Sequence, residues 1–529
     1  MREELPLFKH WVPEWLIKIT MFLVLLPSLV LFFLPLSNVN AAAGHYGSEP
    51  LDIQYSVVLF YAGYASFFSL ERRFFNYIAT KEYFFIFTFI QILTLYICYL
   101  TQEIVIIFIL RFIQGMCFTS TVNLSLALIF NRLHTERARE ISYSVFFGML
   151  VCMIPFDNFI TAELIDAFNF NIVYKCAMIS YIASILLLGI TMNNVRLNTK
   201  LPLYQLDWAS FVIYASFLCI VGYVLTYGQE YYWLEDKRIF WSVITVGFLL
   251  LIYIVRQLKL KRPYFNMAVF KYRNFIIGGL LLFVFYICRF SFALTPAYLN
   301  NVLGLDPIHV SYLTLFNIIG IVIGVIVSCA FVLQKRHARV LWLYGFTLLF
   351  IFHFWMFFLF NTQANEDEFF IPLVIQGLGV GFLMTPTIIY MIAAVPIHLS
   401  ATAAGISLFV RCFGFYVNIA FLNYFELLAK GKHFNRFQDA ITQLNPIVRE
   451  RFLKHGSSLS GHGVYSSQTV KMTNRLLVKA IDAQDMIRYA MDYYEMISCM
   501  LIVTILLVAV VPYINRTEIH LRANDPAPF

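Results

Sequence analysis

Fourteen apolar segments, each about 20 residues long, recur along the chain and limit its fold more than any other feature. A helix needs about 20 mostly apolar residues to cross a bilayer, and within lipid only helices and closed barrels satisfy every backbone hydrogen bond. We therefore predict an all-α polytopic membrane protein. The predicted transmembrane helices cover roughly residues 17–36, 51–70, 84–100, 104–130, 141–165, 172–192, 208–227, 239–255, 275–299, 312–334, 340–361, 370–395, 403–429 and 490–513.

Composition and motif content exclude several other classes of protein. Hydrophobic residues make up 60% of the 529 positions and charged residues 13%, whereas soluble globular proteins average about 45–50% and about 25%. The nine cysteines lie inside apolar segments without a CxxC pair, which is typical of cysteine used as a small hydrophobe. The sequence has no phosphate-binding loop, HExxH, GxSxG or dinucleotide fingerprint. We expect the chain not to be an enzyme and to use no cofactor or metal.

The distribution of Lys and Arg predicts the topology. The net charge of +8 comes from short basic clusters between apolar segments, a pattern typical of cytoplasmic loops and not of nucleic-acid binding. The clusters fall in alternate loops and comprise Arg72, Arg73 and Lys81; Arg132, Arg137 and Arg139; Arg196 and Lys200; Arg256, Lys259, Lys261, Arg262, Lys271 and Arg273; and Lys335, Arg336 and Arg339. The short loops on the other side hold only Lys237 and Arg238. Both termini are therefore predicted to be cytoplasmic, with no nucleic acid as partner.

One long polar stretch, 430–489, falls on the predicted outer side. Asn445 and Pro446 form a helix start, and Gly456 is predicted to end that helix. A second helix is predicted from about Gln468 to Met486. Two interpretations stay open: a solvated hairpin, or a docking surface for an extracytoplasmic partner.

Among the charged residues inside predicted spans, five are candidates for function. They are Arg111, Asp157, Glu163, Arg289 and Arg411. Charges in spans are rare and usually face the bundle interior or a water-filled path, so we take these five as candidates for proton coupling or gating. The alternatives are a structural ion pair or a side chain that reaches the interface. His353 is interpreted as an interior histidine with its hydrogen bonds satisfied.

Small residues predict a repeated architecture. Gln376, Gly377, Gly379 and Gly381 precede Pro386 in span 12, and Gln114–Gly115 in span 4 is a shorter version of the same pattern. Small residues allow close helix approach. The basic pair after span 2 is likewise echoed by Lys335–Arg336 after span 10. One offset of eight spans relates both pairs and favours repeated halves, an architecture of transporters. The predicted units are an N-terminal bundle 1–192, two linker helices 193–274, a C-terminal bundle 275–513 and a tail 514–529.

Several of these motifs together resemble the fourteen-helix drug:proton antiporters of the major facilitator superfamily, the EmrB/QacA type. The similar segments are 111–115 (RFIQG), 206–208 (LDW), 263–267 with 270–275, 376–386 and 407–411 (SLFVR). The resemblance implies a major facilitator fold, with two six-helix bundles and two extra central helices. It also implies proton coupling at Arg111, a conformational latch at Arg72 and Arg73, and a switch-supporting role for Pro155.

The chain departs from that family at the acid usually found in helix 1, since residues 21–36 contain none. The usual glycines after Pro155 are also replaced. We therefore expect Asp157, or less favoured Glu163, to be the titrating acid, held near Arg111.

Taken together, these features predict an inner-membrane exporter that moves amphipathic small molecules by alternating access, through a central cavity rich in Phe, Tyr and Met. Its expected partners are the lipid bilayer, the substrate and protons. The resemblance adds a periplasmic adaptor and an outer-membrane channel. Two alternatives stay open: a transporter-derived scaffold or sensor, and a proton-translocating subunit of a respiratory complex. The sparse intramembrane charges, mostly Arg, count against the latter.

Overall fold

The computed structural model describes residues 7–132, 137–195, 207–334, 337–442, 445–462 and 465–511. Within these ranges, the side chains of 72–76, 123–124, 127–132, 139, 440 and 466–467 are outside the description. The predicted cytoplasmic tail 514–529 and the end of the last predicted span lie outside the described residues.

Long α-helices dominate the described chain, as the apolar segments predict. In chain order they are α1 (Glu14–Ser37), α2 (Val39–Tyr46), α3 (Pro50–Tyr77), α4 (Thr80–Leu100), α5 (Ile104–Arg132), α6 (Ala138–Ala167), α7 (Ile172–Thr191), α8 (Trp208–Tyr227), α9 (Lys237–Lys259), α10 (Arg273–Phe290), α11 (Leu294–Asn301), α12 (Pro307–Leu333), α13 (Ala338–Leu359), α14 (Phe370–Ala393), α15 (Ser400–Tyr424), α16 (Lys430–Ala440), α17 (Pro446–Gly461) and α18 (Ser466–Val510).

Fourteen helical segments in the described residues are long and apolar enough to cross a membrane, which confirms the predicted count and order. Two details differ from the prediction. The ninth span is not one α-helix, because a 3-10 turn at Ser291–Ala293 separates α10 from α11. The connection after the first span contains α2, which the apolar pattern does not reveal because it is only eight residues long.

The helices pack into two six-helix bundles. In the N-terminal half, α1 packs on α3, α5, α6 and α7, and α4 packs on α5 and α7. In the C-terminal half, α14 packs on α10, α12, α13 and α15, and α13 also packs on α18. The linker helices α8 and α9 pack on each other, and α8 contacts both α3 and α15. The two halves meet along α6 against α12 and α14, and along α3 against α15.

The long polar stretch is largely helical and forms a hairpin. The Asn445 side chain accepts a hydrogen bond from the Ile447 backbone N–H (3.1 Å), as its predicted capping role requires. The prediction that Gly456 ends this helix is wrong, because α17 continues to Gly461. Gly456 lies near Thr469 and Thr473 of α18, so packing against a neighbouring helix outweighs the weak helix propensity of glycine.

The second predicted helix of this stretch is continuous with the last span. At 1.5 Å per residue, the 45 residues of α18 are about 68 Å long, more than twice the ~30 Å bilayer core. About half of α18 therefore projects beyond the apolar layer, where α16 and α17 pack against it. We call this end of the bundle the hairpin end. The opposite end, which carries the loops α3–α4, α5–α6, α9–α10 and α12–α13, is called the basic end.

Candidate functional site

Glycines hold the same helix pair together in each half. In the N-terminal half, Gly63 of α3 faces the Phe112 carbonyl of α5, and Gly115 of α5 faces the Phe60 carbonyl of α3. A Cβ atom at either glycine would overlap backbone. Small residues at both positions therefore let the two helix backbones touch.

The C-terminal half repeats this crossing between α12 and α14. Gly320 faces the Val374 carbonyl, Gly377 faces the Asn317 carbonyl, and a Cβ at Gly381 would lie 2.7 Å from the Ile321 oxygen. Gly379 points elsewhere, against Leu349 of α13. Close helix packing, predicted from the glycine spacing, is therefore what the structure shows.

The glutamines that precede these glycines have different partners. Gln114 accepts a hydrogen bond from Arg111 Nη1 (3.1 Å) and lies 3.5 Å from Cys98 Sγ. Gln376 instead accepts a hydrogen bond from the Asn317 amide. The glutamine at the N-terminal crossing thus binds a cation, whereas the glutamine at the C-terminal crossing binds a neutral amide.

Arg111 donates a hydrogen bond to a carbonyl of α1 that lacks its helical partner because of a proline. Pro35 has no N–H, so the carbonyl of Leu31, four residues earlier, loses its helical partner. Arg111 Nη1 donates to that Leu31 oxygen (2.8 Å), and Nη2 donates to the Phe32 oxygen (2.9 Å). The guanidinium also lies 4.5 Å from the Phe60 ring centroid. Arg111 is fully buried and holds α5 to α1 through these bonds.

Pro27 lies eight residues, about two helical turns, before Pro35. Its freed carbonyl belongs to Leu23 and accepts a hydrogen bond from Ser184 of α7 (2.6 Å). Both carbonyls that proline frees in α1 are therefore satisfied by side chains of neighbouring helices.

A cleft lies between the halves, in the part of the interface nearer the basic end. Its enclosed volume is only about 20 Å³, far below that of typical small-molecule pockets, so the cleft is nearly closed in this arrangement. The lining residues are mostly aromatic or aliphatic and comprise Tyr64, Phe68, Val122, Leu126, Tyr143, Phe146, Phe147, Ile388, Ile392, Ala404, Ser407 and Arg411. The expected aromatic lining is present, but methionine contributes nothing to this set of described lining residues.

Arg411 is the charged residue of this cleft. Ala404, Ser407 and Arg411 lie on one face of α15, and Arg411 is the furthest of the three from the basic end. Its Nε donates a long hydrogen bond to the Ser407 carbonyl (3.4 Å), and its guanidinium lies 5.2 Å from the Phe147 ring centroid across the interface. Nη1 has no hydrogen-bond partner among the described residues.

Arg289 also joins the two halves. Its Nη2 donates to the Leu150 carbonyl of α6 (3.3 Å), while Nη1 has no partner in the described chain. The guanidinium lies 5.8 Å from the Phe33 ring of α1 and 5.0 Å from Phe290. Arg289 and Arg411 are each 4% exposed.

The two candidate acids have different environments. Asp157 of α6 is fully buried, and neither carboxylate oxygen has a hydrogen-bond partner among the described residues. No hydrogen bond or ion pair joins it to Arg111 in the described chain, so the expected proximity is not a direct contact. Glu163 is exposed and lies 3.4 Å from the Tyr312 hydroxyl of α12.

The remaining sequence candidates are conformational residues. Pro155 lies inside α6 and Pro386 inside α14, and both helices continue through the proline. The side chains of Arg72 and Arg73 lie outside the described part of the structure, so their latch role is still a prediction.

Contacts that close the interface at each end were not predicted. At the basic end, Arg137 donates to the Val332 carbonyl (3.3 Å) and to the Leu333 carbonyl, at the C-terminus of α12. At the hairpin end, the rings of Phe159 and Tyr312 lie 5.8 Å apart. The α6–α12 seam is therefore closed at both ends, as in an occluded arrangement. In the sequence, the only signal for the contact between Arg137 and α12 was the basic cluster to which Arg137 belongs.

Two buried polar triads were also missed. Ser28, Gln91 and Tyr181 form the N-half triad: Ser28 Oγ lies 2.8 Å from the Tyr181 hydroxyl, to which Gln91 donates (3.2 Å).

Ser291, His353 and Tyr494 form the C-half triad at the 3-10 turn. Ser291 Oγ lies 2.6 Å from His353 Nε2, and the Tyr494 hydroxyl donates to the Ser291 carbonyl (3.3 Å). His353 Nδ1 lies 2.7 Å from the Leu349 carbonyl, which confirms its interpretation as a satisfied interior histidine. The two triads use spans 1, 3 and 6 and spans 9, 11 and 14, the same offset of eight.

Two six-helix bundles that meet around a cleft, with two linker helices, define a multi-pass membrane transporter of small molecules. The sequence model of the Major Facilitator Superfamily matches residues 17–417, and the chain therefore belongs to that superfamily. It is a transporter and not an enzyme, and the alternative of a respiratory-complex subunit is wrong.

Known proteins resemble the chain at low identity. The colistin resistance protein EmrB of Acinetobacter baumannii is 23% identical over 67% of this chain and 69% of that protein. The multidrug export protein EmrB of Haemophilus influenzae is 21% identical over 68% and 70%. A crystal structure of a POT family transporter in complex with 5-aminolevulinic acid superposes with a TM-score of 0.61, at 14% identity over 97% of this chain and 99% of that chain. The last similarity shows the shared fold only.

Proposed function

We propose that the protein is a proton-coupled exporter that moves amphipathic small molecules across the cell inner membrane by alternating access. The cleft between the halves is the observation that carries this proposal. Its aromatic walls suit flat apolar groups, and Arg411 adds one fixed polar contact, the combination that small-molecule sites use. The names of the EmrB relatives support export of drug-like compounds.

The seam between α6 and α12 supports alternating access. Separate contacts close its two ends: Arg137 with the end of α12 at the basic end, and Tyr312 with Phe159 and Glu163 at the hairpin end. Because neither set includes a residue of the other, one end can open while the other stays closed. Motion of one bundle against the other about a central site is the usual mechanism of transporters built from repeated halves.

The proposal includes a topology. The basic end faces the cytoplasm, together with both termini, and the hairpin end faces outward, as the Lys and Arg distribution favours. It also includes the division of the chain into an N-terminal bundle 1–192, linker helices 193–274 and a C-terminal bundle 275–513. In this orientation the cleft lies nearer the cytoplasmic side, where an exporter takes up its substrate.

Asp157 is proposed as the proton-coupling acid, with Arg111 as a supporting residue. A coupling acid must change its surroundings between the two open states. Asp157 meets this requirement because it is enclosed here and lies on α6, the helix that forms the seam with the other half. Glu163 is less suited, since it is already exposed in the closed arrangement.

Transport in proteoliposomes tests the function directly. An amphipathic fluorescent substrate should accumulate against its gradient in inside-out vesicles whose lumen is more acidic than the medium. A protonophore should abolish the accumulation. A transporter-derived scaffold or sensor would show no substrate flux under either condition.

Asp157→Asn tests the coupling. The variant should lose uphill transport while downhill exchange continues, since the amide cannot release a proton. Glu163→Gln is the matched control and should keep uphill transport. Unchanged uphill transport in Asp157→Asn would remove Asp157 from the mechanism.

The hairpin is proposed to dock a periplasmic adaptor protein, which would connect to an outer-membrane channel. Large apolar side chains are exposed on it, including Ile447, Leu453 and Tyr465. The double variant Ile447→Glu and Leu453→Glu should reduce co-purification of an adaptor encoded beside this chain. Ser457→Glu, which adds a charge on exposed α17 without removing apolar surface, is the control. Equal capture by both variants would argue against docking through α17.

A further inference from the structure

Two arginines at the interface of the halves have unused hydrogen-bond capacity. Arg289 and Arg411 both belong to the C-terminal half, and both are almost completely buried. Each has an Nη1 atom without a partner in the described chain. A guanidinium carries five N–H donors, and burial without partners is unfavourable for it.

Arg111 shows that the fold can satisfy the terminal nitrogens of a buried arginine, although its Nε has no partner in the described chain. Its two terminal nitrogens donate to Leu31, Phe32 and Gln114 at 2.8, 2.9 and 3.1 Å. Arg111 binds within its own half and satisfies the carbonyl that Pro35 frees. Arg289 and Arg411 differ because they lie at the surface between the halves, where a substrate passes.

No carboxylate of the described residues forms an ion pair with Arg289 or Arg411. Their electrostatic neighbours are neutral phenols: Tyr61 and Tyr286 lie within range of both guanidinium groups, with the Tyr286 hydroxyl group near enough to interact with each, and Tyr64 is a further neighbour of Arg411. These shared neighbours place the two cations in one region, with two positive charges and no counter-charge. An opposite charge stabilises such groups, and a like charge destabilises them.

We infer that the substrate itself supplies the missing negative charge: the transported molecules are amphipathic organic acids in their anionic form. This inference rests on the proposed export function. The carboxylate or sulfonate group binds Arg411, in the bidentate geometry that guanidinium groups favour. The apolar part of the molecule lies in the cleft against Tyr64, Phe68 and Phe147. Arg289 offers a second binding position for the acid group, beside α6 and α1.

The walls of the cleft distinguish organic from inorganic anions. Five of its lining side chains are aromatic and four are Val, Leu or Ile. Of these nine, only Tyr64 and Tyr143 carry a hydroxyl group, too few donors to replace the hydration of chloride or phosphate. An amphipathic cation would instead bring a like charge beside two unpaired guanidinium groups. The site therefore favours an anionic group with an aromatic body.

A matched set of pyrene derivatives tests the charge preference. Pyrenebutyrate is anionic, pyrenebutanol is neutral and pyrenemethylamine is cationic, and the aromatic body is the same. In proteoliposomes of the full chain, transport of the anion should be at least tenfold faster than transport of the cation. In detergent, the anion should raise the melting temperature of the wild-type protein more than the cation does, a measurement that requires no variant.

Substitutions then assign the preference to residues. Arg411→Met should lower anion transport at least tenfold and lower transport of the neutral compound much less, and Arg411→Lys should fall between. Arg289→Met should also lower anion transport. Lys175→Met removes a positive charge from an exposed position on α7 and should leave the anion preference unchanged.

The outcomes separate this inference from the export function. Equal or faster transport of the cation, or an unchanged preference in both arginine variants, overturns the inference and leaves export standing. Competition by chloride or phosphate as strong as that by pyrenebutyrate overturns the organic character of the substrate. Failure of all three compounds to move overturns the export function itself.

Discussion

The two halves of the protein use the same helix crossings but place different side chains beside them. Gln114–Gly115 and Gln376–Gly377 occupy corresponding positions, and each glycine faces the backbone of the partner helix. Gln114 orients a buried arginine, whereas Gln376 binds the amide of Asn317. The cations of the C-terminal half lie instead at the surface that faces its partner half. Repetition therefore preserved the backbone contacts, while the placement of charge diverged between the halves.

The consequence is a difference in role between arginines that look alike in the sequence. Arg111 forms three hydrogen bonds of 2.8–3.1 Å inside its own bundle and stabilises α1 at Pro35. Arg289 and Arg411 contact the other half, and each has a terminal Nη1 without a partner in the described chain, whereas in Arg111 only Nε is unpaired. A buried cation is thus structural in the first half and available for binding in the second.

The largest effect is expected at the glycine crossings. Gly115→Leu and Gly377→Leu should each destabilise the protein by at least about 3 kcal/mol, since the new side chain overlaps main chain that cannot move aside. The melting temperature of the purified protein measures the effect. Gly247→Leu is the control, because nothing lies within 4 Å of a Cβ at that position. If only one of the two crossings were sensitive, the equivalence of the halves would be lost.

The next effect separates the arginines. Arg111→Met should lower stability by about 2 kcal/mol, because the Leu31 carbonyl is left buried without a donor. Arg411→Met should leave stability unchanged or raised, since an apolar side chain replaces a buried cation with no counter-charge. Thermal unfolding in detergent compares the two. A loss of stability in Arg411→Met as large as in Arg111→Met would contradict the difference in role.

The triads give a third comparison. His353 occupies the place that Gln91 has in the N-half triad, and each joins a hydroxyl group of a neighbouring helix. His353→Gln should therefore cost less than about 1 kcal/mol, since glutamine can both donate and accept. His353→Leu should lower stability by about 1–3 kcal/mol, because the buried polar partners of His353 are left without hydrogen bonds. Similar melting temperatures for the two variants would show that the hydrogen bonds of His353 contribute little.

The smallest effect contrasts a paired arginine with the unpaired ones. Arg256 of α9 lies 2.7 Å from Asp207, which caps α8. Burial raises the pKa of Asp207, but hydrogen bonds from Ser210 and Arg256 and the charge of Arg256 outweigh it and hold the pKa below its ordinary value. The stability from this pair is present above the unfolded pKa of about 3.9 and is lost as the pH falls through the folded pKa.

Asp207→Asn should accordingly lower stability by about 1 kcal/mol at pH 7. The difference from the wild type should persist between pH 5 and 8 and shrink below about pH 4. A difference that is constant down to pH 3 would show that the carboxylate charge is irrelevant to this cap.

The sequence alone determined the all-α class, the fourteen spans in their order and the close packing at the glycine motifs. Those features depend on local properties, since about 20 apolar residues make a span and a glycine removes the side chain wherever it stands. The family followed as well, because motifs such as RFIQG at 111–115 are contiguous in the chain. The end of α17 was predicted wrongly, since contact with α18 extends the helix past Gly456.

Tertiary structure decided which charges have partners. Arg111, Arg289 and Arg411 are equally intramembrane in the sequence, yet the partners of Arg111 are backbone carbonyls freed or exposed by the geometry of α1. The contacts of Arg137 with the end of α12, and the two polar triads, join residues far apart in the chain. Hydrogen bonding depends on distance and direction across helices, and one-dimensional spacing does not specify either quantity.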